Sequence, residues 1–488
     1  MKQRRVSVLS VAVLVCAFGS WWPGLAGQAG TDQRIARIEG RLLPGIVVKG
    51  RPEGGRTIAE RMRFHHTPGV SVAVLNDGAI EWARGYGVLE AGAPGRVTSR
   101  TRFQAASISK PVAAMAALRL VQGGRLSLDE DINVRLTSWK VPDNDFTRTE
   151  KVTLRRILSH SAGLTVHGFP GYRSTAALPS LAQVLEGVKP ANTAPIRVDV
   201  LPGSAWRYSG GGYTVLQQAL VDVAGRAFPE LMRDTVLRPL RMDDSTYEQP
   251  LPAALRAGAA SAHDVDGKPI PGGFHTYPEM AAAGLWTTPT DLAKFAIGVR
   301  QALAGQSGLL SAATAKEMLS LQKGSYGLGL ALNGSGGEAR FGHGGSNAGY
   351  QCQLVAYAGT GQGAVVMTNG DAGGRLGAEI LRTIASEYGW PGYPGPREKA
   401  VASIDPSVLQ AYAGRYEMRP GRVITLTASG GTLFLTDGAQ KMELLPESAT
   451  RFFELTEESE VEFLKGPDGT VSGALINGRI KARRLDLP

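Results

Sequence analysis

Residues 103–124 read FQAASISKPVAAMAALRLVQGG, and the fold turns on how that stretch is parsed. From Val112 to Val121 the run is apolar nearly all round, as expected of a helix buried at the centre of a domain rather than lying on its surface. Gly123-Gly124 stop it. Pro111 lacks an N–H and is tolerated only in a helix's first turn, so the helix starts close to Ser107. That sets a hydroxyl at the positive end of the helix dipole, with Lys110 three residues on and able to share its face. Serine is a poor nucleophile at its own pKa and needs an adjacent base; a partly desolvated lysine one turn away can be that base. The pattern S-x-x-K is common by chance, and its weight here comes from heading a wholly apolar helix.

Outward from this helix, Val70–Leu75 and Ala79–Arg84 flank Asn76-Asp77-Gly78, a strand–turn–strand signal. Asp32–Leu43 and Thr57–Phe64 read as short amphipathic helices. Between Thr153 and Leu303, helices alternate with Pro/Gly loops, and Thr288-Pro289-Thr290-Asp291 is a helix start with an N-cap Thr and Pro at N1. Strands return at Gln351–Ala358 and Ala364–Thr368, then a helix at Leu376–Tyr388. Strands at both ends of a helical middle, joined by hairpins, predict an α+β class: an antiparallel sheet flanked by helices.

Trp390–Pro396 obstructs both helix and ladder and reads as a linker. Beyond it, Val423–Thr427, Leu433–Thr436, Phe452–Leu455, Val461–Leu464, Ala474–Ile476 and Lys481–Leu485 are short β-rich runs separated by turn signals, predicting a small antiparallel barrel or sandwich. The expected organisation is a signal peptide at 1–29, a main domain at 30–390, a linker at 391–400 and a small all-β domain at 401–488.

Composition agrees with a soluble globular chain: 488 residues, 43% hydrophobic, 20% charged, 53 Lys+Arg against 43 Asp+Glu. It excludes disordered, collagenous and disulfide-stapled classes. Lys2, Arg4 and Arg5 precede an apolar run from Val6 to Phe18 and small residues around Gly24–Ala29, the pattern of a secretory signal peptide. Thirteen apolar residues fall short of the roughly 20 that span a bilayer. The expected location is the bacterial envelope or beyond, periplasmic or secreted, with no stable membrane span after cleavage. No run of Lys/Arg interleaved with aromatics supports nucleic-acid binding. Once Cys16 leaves with the signal, Cys352 has no partner and reads as a buried structural thiol. His65, His66, His160, His167, His263 and His275 lack metal-ligand spacing and read as structural, so neither metal nor cofactor is expected. There is no G-x-S-x-G elbow, which argues against an α/β-hydrolase.

The segment Phe103–Pro111, running into Leu118–Asp129, resembles the serine β-lactamase-related hydrolases. That group includes class C β-lactamases, D,D-carboxypeptidases, D-aminopeptidases and the β-lactamase-like (family VIII) carboxylesterases. Two further stretches follow in the family's order. Tyr208-Ser209-Gly210 resembles the Tyr-x-Asn motif, whose tyrosine is a proton relay; Gly210 stands where Asn is expected. A nearby cation, Lys110, would lower the Tyr208 pKa. His343-Gly344-Gly345 resembles the Lys-Thr-Gly strand in its His-x-Gly form, ahead of the strand Tyr350–Ala358. Lys323-Gly324-Ser325 offers a lysine but lacks the second glycine and a following strand. Tyr208 lies 101 residues after Ser107, and His343 lies 135 after Tyr208, which leaves room for the inserted helical domain that the resemblance implies.

The resemblance implies Ser107, Lys110, Tyr208 and His343 as catalytic residues, and Gly210, Gly344 and Gly345 lining the substrate. It also implies an oxyanion hole from the Ser107 and Ser346 amides, with His343 polarising or orienting the substrate. The expected activity is a secreted serine hydrolase forming an acyl-enzyme on an ester or amide, with esters favoured by Gly210 and His343. The substrate would be a small ester, a β-lactam or a peptidoglycan-type peptide. The alternatives are a D-amino-acid peptide or β-lactam hydrolase, and a non-hydrolysing penicillin-binding or sensor protein. The C-terminal β module resembles the lipocalin-like barrels appended to many members.

Overall fold

A computed structural model describes residues 23–51, 55–306, 308–438 and 440–485 of the chain. The expected signal peptide therefore lies outside the described residues up to Trp22. No described helix is long and apolar enough to cross a membrane.

The main domain is built on a six-stranded antiparallel sheet. Its strands in chain order are β1 (Gly69–Asn76), β2 (Ala79–Gly87), β3 (Ala331–Asn333), β4 (Arg340–Asn347), β5 (Tyr350–Tyr357) and β6 (Gly363–Thr368). Their spatial order is β2-β1-β6-β5-β4-β3, so the two N-terminal strands complete a sheet begun 250 residues later in the chain. Strand β1 is apolar on both faces, and its alternation sends each face to a different core. Val70, Val72 and Val74 pack with Ile35 and Ile38 of helix α1 (Pro23–Gly40) and with Leu376, Ile380 and Ile384 of the C-terminal helix Gly373–Glu387. Ala73 and Leu75 face the larger core, where Leu292, Phe295 and Val299 of the helix Pro289–Leu303 meet the buried helix α2 (Ser109–Gln122). Thr288 caps that 289–303 helix by accepting the Asp291 N–H, as its sequence predicts. The helices inserted between β2 and β3 include α3 (Gly210–Ala224), which packs in the same core.

The predicted helix at 112–121 extends to Ser109–Gln122, and a 3-10 turn at Ala106–Ile108 precedes it. Every residue from Ser109 to Leu118 is buried, which is why the sequence there carries no polar face.

The C-terminal region forms a closed barrel of eight antiparallel strands from Gly414–Arg419 to Ile480–Arg484, with the last pairing to the first. Two of its strands, Gly414–Arg419 and Gln440–Pro446, are absent from the six that the sequence predicts. Its interior is filled by side chains: Tyr412 stacks on Phe463 with ring centroids 3.9 Å apart, beside Tyr416 and Phe452. Arg397–Lys399, within the expected linker, pairs in parallel with Ile46–Val48. Ile46 and Val48 then join Leu445 and Phe453 of the barrel in a small shared cluster. Ion pairs Arg375–Glu457 and Arg397–Glu460 flank that junction.

Candidate active site

The turn Ala106–Ile108 is held from several sides. Its second serine, Ser109, is fully buried; its hydroxyl donates to the Ala106 carbonyl and accepts the Leu285 N–H, while its own carbonyl accepts from the Tyr247 hydroxyl. Ala106 has φ +49, a left-handed conformation that an L-residue adopts only under constraint from its surroundings. Strand β4 presses on the same turn: a Cβ at Gly345 would run into the Ala105 carbonyl. Of the two serines, only Ser107 therefore reaches the adjoining cleft.

Lys110 extends from the first turn of α2 to the Ser107 hydroxyl. Its Nζ lies 3.0 Å from Ser107 Oγ and donates across 2.7 Å to the Ala282 carbonyl. The side chain is 2% exposed, and among the described residues no carboxylate pairs with it. Burial alone pushes its pKa from 10.5 down to about 7, because the ammonium loses its hydration without gaining a counter-charge. A lysine in that state is partly neutral at pH 7 and has a lone pair to accept a proton.

The Tyr208 phenol lies beside the Ser107 hydroxyl, and Lys110 Nζ sits 5.0 Å from the centroid of its ring. The expectation that Lys110 lowers the phenol's pKa is reversed. Burial raises it well above the usual tyrosine value, and the same burial leaves the lysine only partly charged at pH 7. The phenol keeps its proton, and the neutral fraction of the amine is the base.

His343, on β4, is buried and held neutral: burial first, then the nearby Lys110, pulls its pKa down to about 4. Its Nδ1 lies 2.6 Å from the Gly344 carbonyl and must donate to it. Nε2 therefore carries a lone pair, and it is buried with no partner. A ring in this tautomer accepts a hydrogen bond from a substrate N–H or O–H. It cannot polarise a carbonyl, so of the two roles expected for His343 only orientation fits.

Gly344 and Ser346 are exposed on β4 beside Ser107, and the Ser346 hydroxyl accepts from Gln351 Nε2 at 2.9 Å. Gly210 opens α3, capped by Ser209, whose Oγ accepts the Gly212 N–H. A side chain at Gly210 would start 3.0 Å from both the His167 carbonyl and the Phe169 ring. The segment His167–Phe169 thus backs directly onto the position where the motif carries an amide. Lys323 forms a turn with Tyr326 outside the cluster. Cys352 is buried against the Gln104 carbonyl, and burial raises its pKa, which makes it an inert thiol.

Ser107, Tyr208 and His343 open on a cleft of about 1070 Å³. One wall is aromatic: Phe169, Trp206, Tyr208 and Tyr326, with Trp206 and Tyr326 rings 5.4 Å apart. Among the described residues no carboxylate lines the cleft, and Arg340 is its one permanent charge. Nor do any three described His, Cys, Asp or Glu residues gather as a metal site. Sequence reasoning missed the aromatic wall, the Ala282 carbonyl and His160. His160, expected from its spacing to be structural, lies against Tyr208 with ring centroids 4.2 Å apart. Of that wall only Tyr208 carries a signal in the sequence, as part of Tyr208-Ser209-Gly210.

Residues 55–388 match the Beta-lactamase family profile, and residues 398–486 match a domain of unknown function (DUF3471). Penicillin-binding protein 4 of Amycolatopsis lactamdurans is 27% identical over 380 residues, covering 73% of this chain and 95% of that protein. The octameric penicillin-binding protein homologue from Pyrococcus abyssi superposes with a TM-score of 0.59 at 21% identity, covering 87% of this chain and 98% of the other. The D-alanine carboxypeptidase AmpC of Burkholderia cenocepacia gives a TM-score of 0.55 at 18% identity over 73% of this chain and 99% of its own. These two likenesses are likenesses of fold.

Proposed function

The chain belongs to the beta-lactamase family of serine hydrolases, and from that premise we propose that it cleaves neutral carboxylic esters through an acyl-enzyme at Ser107. The observation that carries the mechanism is the contact of Ser107 Oγ with a buried, partly neutral amine at 3.0 Å. Lys110 takes the hydroxyl proton as Oγ bonds to the ester carbonyl carbon, and the carbonyl π electrons move to oxygen. The Ser107 and Ser346 amides stabilise that oxyanion, a contribution of about 3–4 kcal/mol per donor. Tyr208, still protonated, relays the proton from Lys110 to the departing alkoxide. Water then enters, loses its proton to Lys110, and expels Ser107 Oγ, which is reprotonated through Tyr208.

Ester preference is supported by the uncharged aromatic wall and by two glycines, Gly344 and Gly210, where the family motifs carry a hydroxyl and an amide. One observation favours a second reading: Arg340 in the cleft suits a substrate carboxylate, as in a β-lactam or a D-peptide. Penicillin-binding protein 4 and the D-alanine carboxypeptidase are named for such ligands. A panel of nitrophenyl esters, a penicillin and a D-alanyl-D-alanine peptide separates these. The proposal requires a kcat/KM for esters at least a hundredfold above the other two; peptide or β-lactam turnover at parity would overturn it. A stable penicilloyl adduct without turnover would instead identify a binding protein. The proposal includes export, supported by the sequence of residues 1–29 and testable by N-terminal sequencing of protein recovered outside the cytoplasm.

A further inference from the structure

Tyr208 precedes α3 in a stretch without regular structure, yet its hydroxyl must stay on Ser107. His160, from a distant loop, holds it together with the bonds of Ser209 Oγ to the Thr165 carbonyl and of the Arg207 guanidinium to the Gly163 carbonyl. The His160 carbonyl accepts the Arg207 N–H at 2.7 Å, and its Nδ1 accepts the Ser209 N–H at 3.1 Å. Between these two bonds the His160 ring lies over the Tyr208 ring, tilted by 31°. One residue thus fastens both neighbours of Tyr208 and packs on Tyr208 itself. His160 has φ +58, a left-handed conformation that a β-carbon-bearing residue keeps only where the surroundings impose it. That backbone turns its carbonyl and its ring toward the same three residues. The loop is anchored at both ends: Leu158 O accepts from the Tyr213 hydroxyl, and Ser161 N–H donates to Arg156 O.

His160 does not read as a proton-transfer group. It is 2% exposed, and Nδ1 is occupied as an acceptor, so the ring proton sits on Nε2, which has no partner. Burial, then the neighbouring Lys110, keeps the ring neutral.

We propose that His160 is a positioning residue of this site: it fixes the Tyr208 phenol on Ser107 by clamping Arg207 and Ser209. This rests on Ser107 as nucleophile and Tyr208 as relay, and it concerns how Tyr208 is kept in place rather than which ester is cleaved.

The test is a double-mutant cycle on nitrophenyl butyrate hydrolysis. His160→Gly takes the left-handed backbone without strain and removes both ring and acceptor. His160→Asn tolerates that backbone and restores an oxygen acceptor for the Ser209 N–H. His160→Gly should lower kcat at least tenfold with KM within twofold of wild type. Added to Tyr208→Phe, it should cost no more than a further threefold, because the phenol it positions is already gone. His160→Asn should recover kcat to within about threefold of wild type. Multiplicative losses in the cycle, wild-type kcat in His160→Gly, or His160→Asn as impaired as His160→Gly would each overturn the proposal. If His160→Gly does not fold, His160→Asn decides alone: near-wild-type kcat supports the clamp, and a thirtyfold loss at unchanged KM refutes it. Failure of the underlying mechanism is distinguishable, since then Ser107→Ala would keep wild-type turnover whatever stands at 160.

Discussion

Replacing Lys110 by Met should stabilise the protein at pH 6 and destabilise it at pH 10. The folded chain holds this amine against the Ala282 carbonyl and Ser107 Oγ, sealed from water, and its pKa falls from 10.5 to about 7. At about 1.4 kcal/mol per tenfold change in proton affinity, charging it inside the fold costs about 5 kcal/mol more than in the unfolded chain. Between pH 7 and 10.5 the unfolded state binds a proton that the folded state does not, so wild-type stability rises with pH across that window. Methionine fills similar space with no charge, but it leaves the Ala282 carbonyl unpaired, at about 1–3 kcal/mol. The variant should therefore exceed wild type by about 2–4 kcal/mol at pH 6 and fall below it by up to about 2 kcal/mol at pH 10. Urea unfolding followed by the fluorescence of Trp139 and Trp286, both buried in this domain, measures the difference at each pH. Other titrating groups largely cancel between the two proteins. A stability difference that is the same at pH 6 and pH 10 would refute the claim that Lys110 is a desolvated, readily neutralised amine.

The same amine sets the acid limb of catalysis: kcat/KM for a nitrophenyl ester should fall tenfold per pH unit below about 7 and level off above it, and a flat profile from pH 5 to 9 would exclude Lys110 as base. Gly345→Ala drives a methyl into the Ala105 carbonyl and should abolish turnover while lowering the melting temperature; Gly344→Ala meets only Cys352 O, at 3.9 Å, and should fold like wild type by circular dichroism. Glu279 is a fully buried carboxyl beside Tyr172, and burial pushes its pKa up to about 7. Its contribution is complete below pH 4.5 and is lost as pH rises through 7, a penalty of about 3 kcal/mol at pH 9. Glu279→Gln should accordingly raise the urea midpoint at pH 9 and change it far less at pH 5.

Sequence carries the centre of this fold well because the centre is local. The apolar run after Pro111, the Asn76–Gly78 turn and the Thr288 cap each specify their element within a dozen residues, and the structure builds all three. The barrel shows where that stops. Gly414–Arg419 buries only Tyr416 among charged neighbours and becomes a strand by pairing with Arg422–Ser429 and with Arg483–Arg484 at the chain's far end. No local pattern announces that closure. At the site, Ser107, Lys110, Tyr208 and His343 are brought together from three stretches whose order the sequence already displays. Their protonation is not legible there, because it depends on burial: the same Lys–Tyr pair in water would share a proton the other way. The His343 tautomer follows from one bond to its neighbour's carbonyl, and His160 meets Ser209 across 49 residues of chain. Neither leaves a spacing to read.

The account stands most directly on the bond formed at Ser107. Wild-type protein mixed with a nitrophenyl ester, acid-quenched during the first turnover and weighed intact should gain one acyl group, which peptide mapping should assign to Ser107. Ser107→Ala should gain none and release no nitrophenol above background. An acyl group mapped to another residue, or undiminished turnover in Ser107→Ala, would contradict it.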